Sequence, residues 1–128
     1  MPLKTKIAKI LVIDDDIHNL KLMLHHLQRL DYDVLAAPSA AGGKRMAQLE
    51  RPDLILIDLA MPFTDGVTAI HELKDDESLR SIPIIVVTGF NSFDFLERAK
   101  AAGCDDYEIK PVNYIELASK IERLRLSA

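Results

Sequence analysis

The chain has little cysteine: Cys104 is its only one, so no disulfide can form within it. A domain of 128 residues buries roughly two-thirds of the surface of its unfolded chain, so it needs neither a disulfide nor a structural metal. A lone thiol fits a reducing compartment, where disulfides are rare. We therefore expect the protein to be cytoplasmic.

Long apolar runs are also missing. No stretch approaches the ~20 apolar residues of a membrane-spanning helix. The basic start, MPLKTKIAKI, lacks the apolar segment of a secretory signal. Linkers rich in proline or serine and internal repeats are absent from the sequence. We expect no membrane association and a single domain over residues 1–128, with its core at about 9–126.

An excess of positive charge is the next feature that the sequence lacks. Its formal net charge is −4, whereas proteins that bind nucleic acid use Lys and Arg to neutralise phosphates. The share of hydrophobic residues, 48%, is that of a soluble globular domain. We therefore expect a soluble domain that does not contact nucleic acid directly.

Five short runs rich in apolar residues predict strands. They cover residues 10–13, 34–37, 54–57, 84–87 and 107–109. The first four are apolar throughout, which is typical of parallel strands that are buried on both faces of a sheet.

Five segments between these runs predict helices. The first has apolar residues three or four positions apart, at Ile17, Leu20, Leu24 and Leu27. The others cover residues 39–49, 67–73, 92–102 and 114–126. Asp16 and Asn113 are the expected N-caps of the first and last helices. In the second helix, Gly42 and Gly43 each cost about 0.5–1 kcal/mol relative to Ala, which weakens that prediction.

The alternation of strands and helices predicts an α/β fold, with a doubly wound parallel sheet of five strands and helices on both faces. The crossovers between its strands should be right-handed. Open sheets of this kind bind ligands beyond the carboxyl ends of their strands. The residues that follow each predicted strand are therefore the candidates for a functional site.

Polar residues follow four of the five predicted strands. They are Asp14, Asp15 and Asp16, then Asp58, then Thr88 with Gly89, and finally Lys110 with Pro111. Each has an ordinary explanation by itself. Asp16 suits a helix cap, and the other aspartates suit solvated turns. Thr88 is a good strand former, and Lys110 is a common surface residue. Their coincidence at one predicted edge is poorly explained by chance. It predicts a shared cleft if the first and third strands are neighbours.

Clustered carboxylates repel each other by about 4 kcal/mol at ~4 Å and an effective dielectric constant of 20, so they need protons or a cation. Oxygen ligands with room for water suit Mg²⁺ above all. Lys110 would add a second positive group and Thr88 a hydroxyl donor. Such a site can hold a phosphoryl group on a nucleophile, and an aspartate carboxylate can be that nucleophile.

Four motifs, ILVIDDD, DLILIDLAMPFTDG, IIVVTGF and DDYEIKPV, together resemble the receiver domain of two-component response regulators. The resemblance covers residues 9–126. It implies a flavodoxin-like sheet with the strand order 2-1-3-4-5. It also implies a phosphoprotein that acts in signal transduction, within a two-component system or phosphorelay, and not a turnover enzyme.

The resemblance assigns roles to individual residues. Asp58 looks like the phosphoacceptor that forms the aspartyl phosphate. The implied Mg²⁺ ligands are Asp14, Asp15, Asp58 and the backbone carbonyl of Ala60. Thr88 would be the switch hydroxyl, Tyr107 the aromatic switch residue, and Lys110 the partner of the phosphoryl oxygens. The peptide bond between Lys110 and Pro111 is expected to be cis.

The resemblance also implies partners. The phosphoryl donor would be a phosphohistidine on a histidine kinase or on a histidine phosphotransfer protein. A downstream protein would bind the face formed by the fourth helix, the fifth strand and the fifth helix, where Phe93 or Phe95 is exposed. A phosphorylation-dependent dimer is compatible with the same face.

Three alternative functions have to be weighed against this one. The domain could be a phosphorelay carrier without a conformational output. A haloacid-dehalogenase-like phosphatase would need a second aspartate at the position of Ala60. A flavodoxin-like carrier would need a loop that binds phosphate, but residues 14–16 are three aspartates, which would repel it.

Overall fold

The computed structural model describes residues 7–58, 66–89 and 93–126. Within these residues, five strands form one parallel sheet in the order β2-β1-β3-β4-β5. The strands are β1 (Lys9–Ile13), β2 (Asp33–Ala37), β3 (Leu54–Asp58), β4 (Ile84–Thr88) and β5 (Asp106–Ile109). The helices are α1 (Ile17–Arg29), α2 (Ala40–Glu50), α3 (Gly66–Asp75), α4 (Phe93–Ala102) and α5 (Tyr114–Leu126). The predicted fold class and strand order are confirmed.

The sheet is buried on both faces, as its continuous apolar runs predict. Successive side chains of a strand point to opposite faces, so each central strand contributes to two cores. In β3, Ile55 and Ile57 pack with α2, α3 and α4, whereas Leu54 and Leu56 pack with α1 and α5. None of the described helices is long and apolar enough to cross a membrane.

Helix α1 begins at its predicted cap. The Asp16 carboxylate accepts hydrogen bonds from the backbone N–H groups of His18 and Asn19, at 2.9 and 3.2 Å. The predicted apolar face is partly wrong. Ile17, which was expected in the core, is 50% exposed, and Met23, which was not predicted there, is buried. Ile17 is the first residue of the helix, and the sheet lies against the turns that follow it.

Helix α2 needs one of the two glycines that weaken its prediction. A Cβ atom on Gly43 would lie 2.3 Å from Cδ1 and 2.6 Å from Cγ1 of Ile13, a fully buried side chain of β1. The glycine lets the helix approach the strand that leads into Asp14. Its cost in helix propensity is therefore offset by close packing.

We expect Gly43→Ala to destabilise the protein by about 1–3 kcal/mol, although alanine is the better helix former, because overpacking displaces Ile13. Chemical denaturation measures the free energy of unfolding. Ile13→Val is the matched test, since it removes the nearer of the two clashing carbons. The double variant should lose less stability than the sum of the single losses. Simple additivity would show that the two residues do not compete for space.

Candidate functional site

The register of the strands brings the predicted polar residues together. Ile13 of β1 pairs with Ile57 of β3, so the next residues, Asp14 and Asp58, lie side by side. Asp58 in turn pairs with Val87 of β4. Thr88 follows Val87 directly. The condition that the sequence left open, that the first and third strands are neighbours, is therefore met.

Asp58 is buried against a lysine. Its carboxylate is 6% exposed and accepts a hydrogen bond from Lys110 Nζ at 2.7 Å. A backbone hydrogen bond places Lys110 beside the end of β4. The bond from Lys110 to Pro111 is cis, as predicted. The N–H of Lys110 donates to the carbonyl oxygen of Thr88 at 2.8 Å. The loop after β5 is thereby held beside the end of β4.

Asp14 is the second buried carboxyl group of the site, at 2% exposure. Burial raises its pKa to about 7, and the nearby Asp58 adds to this by charge repulsion and by a side-chain hydrogen bond. A hydrogen bond from the backbone N–H of Asp16, at 2.9 Å, acts in the opposite direction. Two buried carboxyl groups thus share one ammonium group, which leaves the site short of positive charge.

The third predicted metal ligand among the carboxylates is Asp15, and its role stays a prediction. Asp15 is only half-buried. Among residues 7–58, 66–89 and 93–126, no three side chains of His, Cys, Asp or Glu are arranged to hold a metal ion. Ala60, whose carbonyl is the other expected ligand, lies outside the described residues. The observed acidic pair is therefore Asp14 with Asp58.

The two predicted switch residues lie on neighbouring strands. Thr88 ends β4 and is 3% exposed, and it pairs with Ile109 of β5. Tyr107 pairs with Val86 of β4 and is half-buried. One pair of strands, β4 and β5, therefore connects the edge that holds Asp58 with the half-buried Tyr107.

A cavity of about 260 Å³ adjoins the acidic pair on the side of α1 and α5. Its lining residues are Asp14, Asn19, Leu22, Met23, Lys110, Pro111, Val112 and Tyr114. The Tyr114 ring closes one side and stacks on His26, with the ring centroids 4.2 Å apart. The sequence did not single out this stack, because His26 and Tyr114 are far apart along the chain. Asn113 caps α5 beside it, as predicted, by accepting from the N–H groups of Ile115 and Glu116.

A buried ion pair on β5 was also missed. Glu108 is 3% exposed and pairs with Lys120 of α5, which also donates to the carbonyl oxygen of Tyr107 at 2.6 Å. The sequence offers one signal, the acidic Glu108 within a predicted strand, but this signal does not indicate which basic residue pairs with it. This pair holds α5 against β5, the strand that carries Tyr107.

The remaining predictions for side chains are met in part. Phe95 is 43% exposed on α4, as a docking surface would require, and its ring contacts the Arg98 guanidinium. The side chain of Phe93 lies outside the described residues. Cys104 is half-buried, and its environment raises its pKa to about 11, chiefly through burial.

The fold and site define a class of protein: a doubly wound α/β domain with a buried carboxylate pair, a lysine and a threonine at the carboxyl edge of its sheet. The family model for the response regulator receiver domain matches residues 10–122. The chain therefore belongs to the receiver domain family of two-component response regulators, and the resemblance seen in its motifs is confirmed.

Three relatives illustrate this membership. The response regulator DivK of Brucella abortus is 34% identical over 104 residues, which are 81% of this chain and 85% of DivK. The response regulator PleD of Caulobacter vibrioides is 32% identical over 117 residues, 91% of this chain but only 26% of PleD. The solved receiver domain of the sensor histidine kinase PA1611 from Pseudomonas aeruginosa, with magnesium in its active-site cleft, has a TM-score of 0.85. It is 30% identical, and the match covers 94% of this chain and 98% of that domain.

Proposed function

We propose that Asp58 accepts a phosphoryl group from a phosphohistidine and that this change alters the binding of a downstream partner. The observation that carries the proposal is the Asp58 carboxylate itself. It lies at the end of a central strand, buried beside Asp14 and 2.7 Å from Lys110 Nζ. A structural aspartate would not need a second buried carboxyl group beside it, because that neighbour only adds repulsion.

The transfer would proceed by attack of an Asp58 carboxylate oxygen on phosphorus. A bond forms between that oxygen and phosphorus, and the bond from phosphorus to the donor's imidazole nitrogen breaks. The imidazole leaves with the electron pair of that bond and takes up a proton. Lys110, which now pairs with Asp58, can turn to the phosphoryl oxygens and oppose their negative charge. The Thr88 hydroxyl would donate a hydrogen bond to the same oxygens.

The residues of the site fit a magnesium ion. Asp14 and Asp58 offer oxygen ligands, and their shared shortage of positive charge favours a divalent cation. We propose that they hold Mg²⁺ together with Asp15 and the backbone carbonyl of Ala60. When bound, the ion would neutralise charge that develops on the phosphoryl oxygens. The magnesium in the receiver domain of PA1611 supports this assignment.

Thr88 and Tyr107 would carry the signal away from Asp58. A hydroxyl drawn toward the phosphoryl group would leave room that the Tyr107 ring can fill, so phosphorylation would shift a pre-existing equilibrium. A shift from 1:99 to 99:1 needs about 5.5 kcal/mol, whereas one hydrogen bond to a charged group contributes about 1.5–3 kcal/mol. We therefore expect a partial shift that a partner completes.

The proposed partners are a phosphohistidine donor, which is a histidine kinase or a histidine phosphotransfer protein, and a downstream protein. Both would bind the domain in the cytoplasm. Two of the solved relatives are receiver domains of histidine kinases, which supports a phosphohistidine donor. The downstream protein would bind the face made by α4, β5 and α5. Phe95 and Ile109 are exposed there, at 43% and 37%, beside the half-buried Tyr107. A phosphorylation-dependent dimer would use the same face.

Backbone NMR with and without beryllofluoride and Mg²⁺ tests the switch. We expect chemical-shift changes that begin at Asp58 and extend over residues 88–110. In Thr88→Ala the changes near Tyr107 should shrink, because the hydroxyl that links the two sites is gone. Thr68→Ala, at an exposed position of α3, is the matched control and should respond like the wild type.

The same spectra separate the switch from a phosphorelay carrier. Changes confined to the loops around Asp14 and Asp58 in the wild type would favour the carrier. A full response of Tyr107 in Thr88→Ala would show that the signal takes another route.

A further inference from the structure

The Tyr107 ring lies between two lysines from different helices. Lys100 of α4 places its Nζ 5.5 Å from the ring centroid, and Lys120 of α5 places its Nζ 5.4 Å away. Both distances fall within the range of a cation–π contact. The aromatic switch residue is therefore held by one cation from each of the two helices that flank β5.

The two lysines differ in what else binds them. Lys120 Nζ donates to the carbonyl oxygen of Tyr107 at 2.6 Å and pairs with the buried Glu108, so its position is fixed. Lys100 is half-exposed, and the carboxylate of Glu97 lies 3.8 Å from its Nζ. Lys120 is thus the anchored side of the arrangement, and Lys100 is the side that can release the ring.

We propose that Lys100 and Lys120 form a cation clamp on the Tyr107 ring that holds the ring in its resting position and sets how often it leaves. The proposal rests on the proposed function only where it links ring movement to phosphorylation. The clamp itself is a property of the unmodified protein. Lys100 and Lys120 are positioning residues in this scheme, since they act through Tyr107 and do not touch the phosphoryl group.

The size of the effect follows from the exposure of Lys100. An exposed cation–π contact is worth a factor of about two to five in an equilibrium constant, or about 0.5–1 kcal/mol. Loss of the Lys100 contact should raise the population of the displaced ring by that factor. Because coupling between sites is reciprocal, the affinity for beryllofluoride should rise by no more than the same factor.

Lys100→Met tests the clamp, because methionine keeps much of the apolar stem and removes the charge. Lys100→Arg restores a cation and should restore the wild-type ring position. Lys21→Met removes a charge from an exposed position of α1 and controls for net charge. The readout is the set of ring resonances of Tyr107, which Tyr107→Phe assigns among the three tyrosines of the chain.

In the absence of beryllofluoride, we expect the Tyr107 ring resonances of Lys100→Met to move along the line that joins the free and bound wild-type positions. Resonances that coincide in the wild type, Lys100→Met and Lys100→Arg would overturn the clamp. So would an equal movement in Lys21→Met, because net charge would then be the cause.

A second variant tests the anchored side. Lys120→Met alone would leave the buried Glu108 without its ammonium group, so Glu108→Gln is combined with it. The double variant should shift the ring resonances in the same direction as Lys100→Met, and an unchanged ring would overturn the role of Lys120. Failure of the wild type to bind beryllofluoride would reject the proposed function, while the ring comparison without the mimic would still decide the clamp.

Discussion

Replacement of Asp58 by Asn is expected to abolish phosphoryl transfer to the protein. Wild-type protein incubated with acetyl phosphate and Mg²⁺ should gain one phosphoryl group, detected by intact-protein mass spectrometry. The group should be released by hydroxylamine, because an acyl phosphate is attacked at its carbonyl carbon. An amide is a far poorer nucleophile than a carboxylate, so Asp58→Asn should stay at background.

The controls for this experiment test whether labelling needs Asp58 and its surroundings or occurs at any aspartate. Asp75→Asn changes an exposed aspartate at the end of α3 and should be labelled like the wild type. Lys110→Met should slow labelling, because the ammonium group that lies 2.7 Å from Asp58 would no longer oppose the charge of the phosphoryl oxygens. Labelling of Asp58→Asn at the wild-type level would show that another residue is the phosphoacceptor.

Replacement of Asp14 by Asn is expected to remove most of the stabilisation by Mg²⁺ and to stabilise the metal-free protein. Free Mg²⁺ at a concentration 100 times its dissociation constant would add about 2.7 kcal/mol to the free energy of unfolding. Asp14→Asn should lose most of this gain, since one of two buried ligands is neutral. In EDTA at pH 7, its free energy of unfolding should exceed that of the wild type by about 1–3 kcal/mol.

The sign of the pH dependence follows from the pKa of Asp14, which lies above its ordinary value, at about 7. The folded protein then holds a proton on Asp14 that the unfolded chain loses at lower pH. The stabilisation from this proton is complete below about pH 4 and is lost as the pH rises through about 7. The wild type in EDTA should therefore lose more stability than Asp14→Asn between pH 5 and 8.

Thermal or chemical unfolding with and without Mg²⁺ measures both effects. The Asn side chain can still accept from the backbone N–H of Asp16, so the loop after β1 keeps its local hydrogen bond. Asp33→Asn, at an exposed position that begins β2, controls for the loss of one negative charge. An undiminished response to Mg²⁺ in Asp14→Asn would place the ion away from this carboxylate.

The sequence by itself determined the elements and, to within one or two residues, their ends. Continuous apolar runs predict buried parallel strands, and the observed strands overlap the predicted ones. Asp16 and Asn113 cap the helices that they were expected to cap, because capping depends on residues within one turn. The polar residues at the strand ends could be recognised for the same reason, since each ends its own strand or directly follows it. The strand order came from the family resemblance and not from periodicity.

Only the tertiary structure decided which of these residues meet. The contact of Asp14 with Asp58 depends on β1 lying beside β3 and on the register between them. The contact of Asp58 with Lys110 depends on the end of β5 reaching the same edge. The need for Gly43 depends on the position of Ile13 on another element. The same holds for the two lysines that flank Tyr107 from α4 and α5. These contacts join residues far apart along the chain, and local periodicity carries no information about the distance between them.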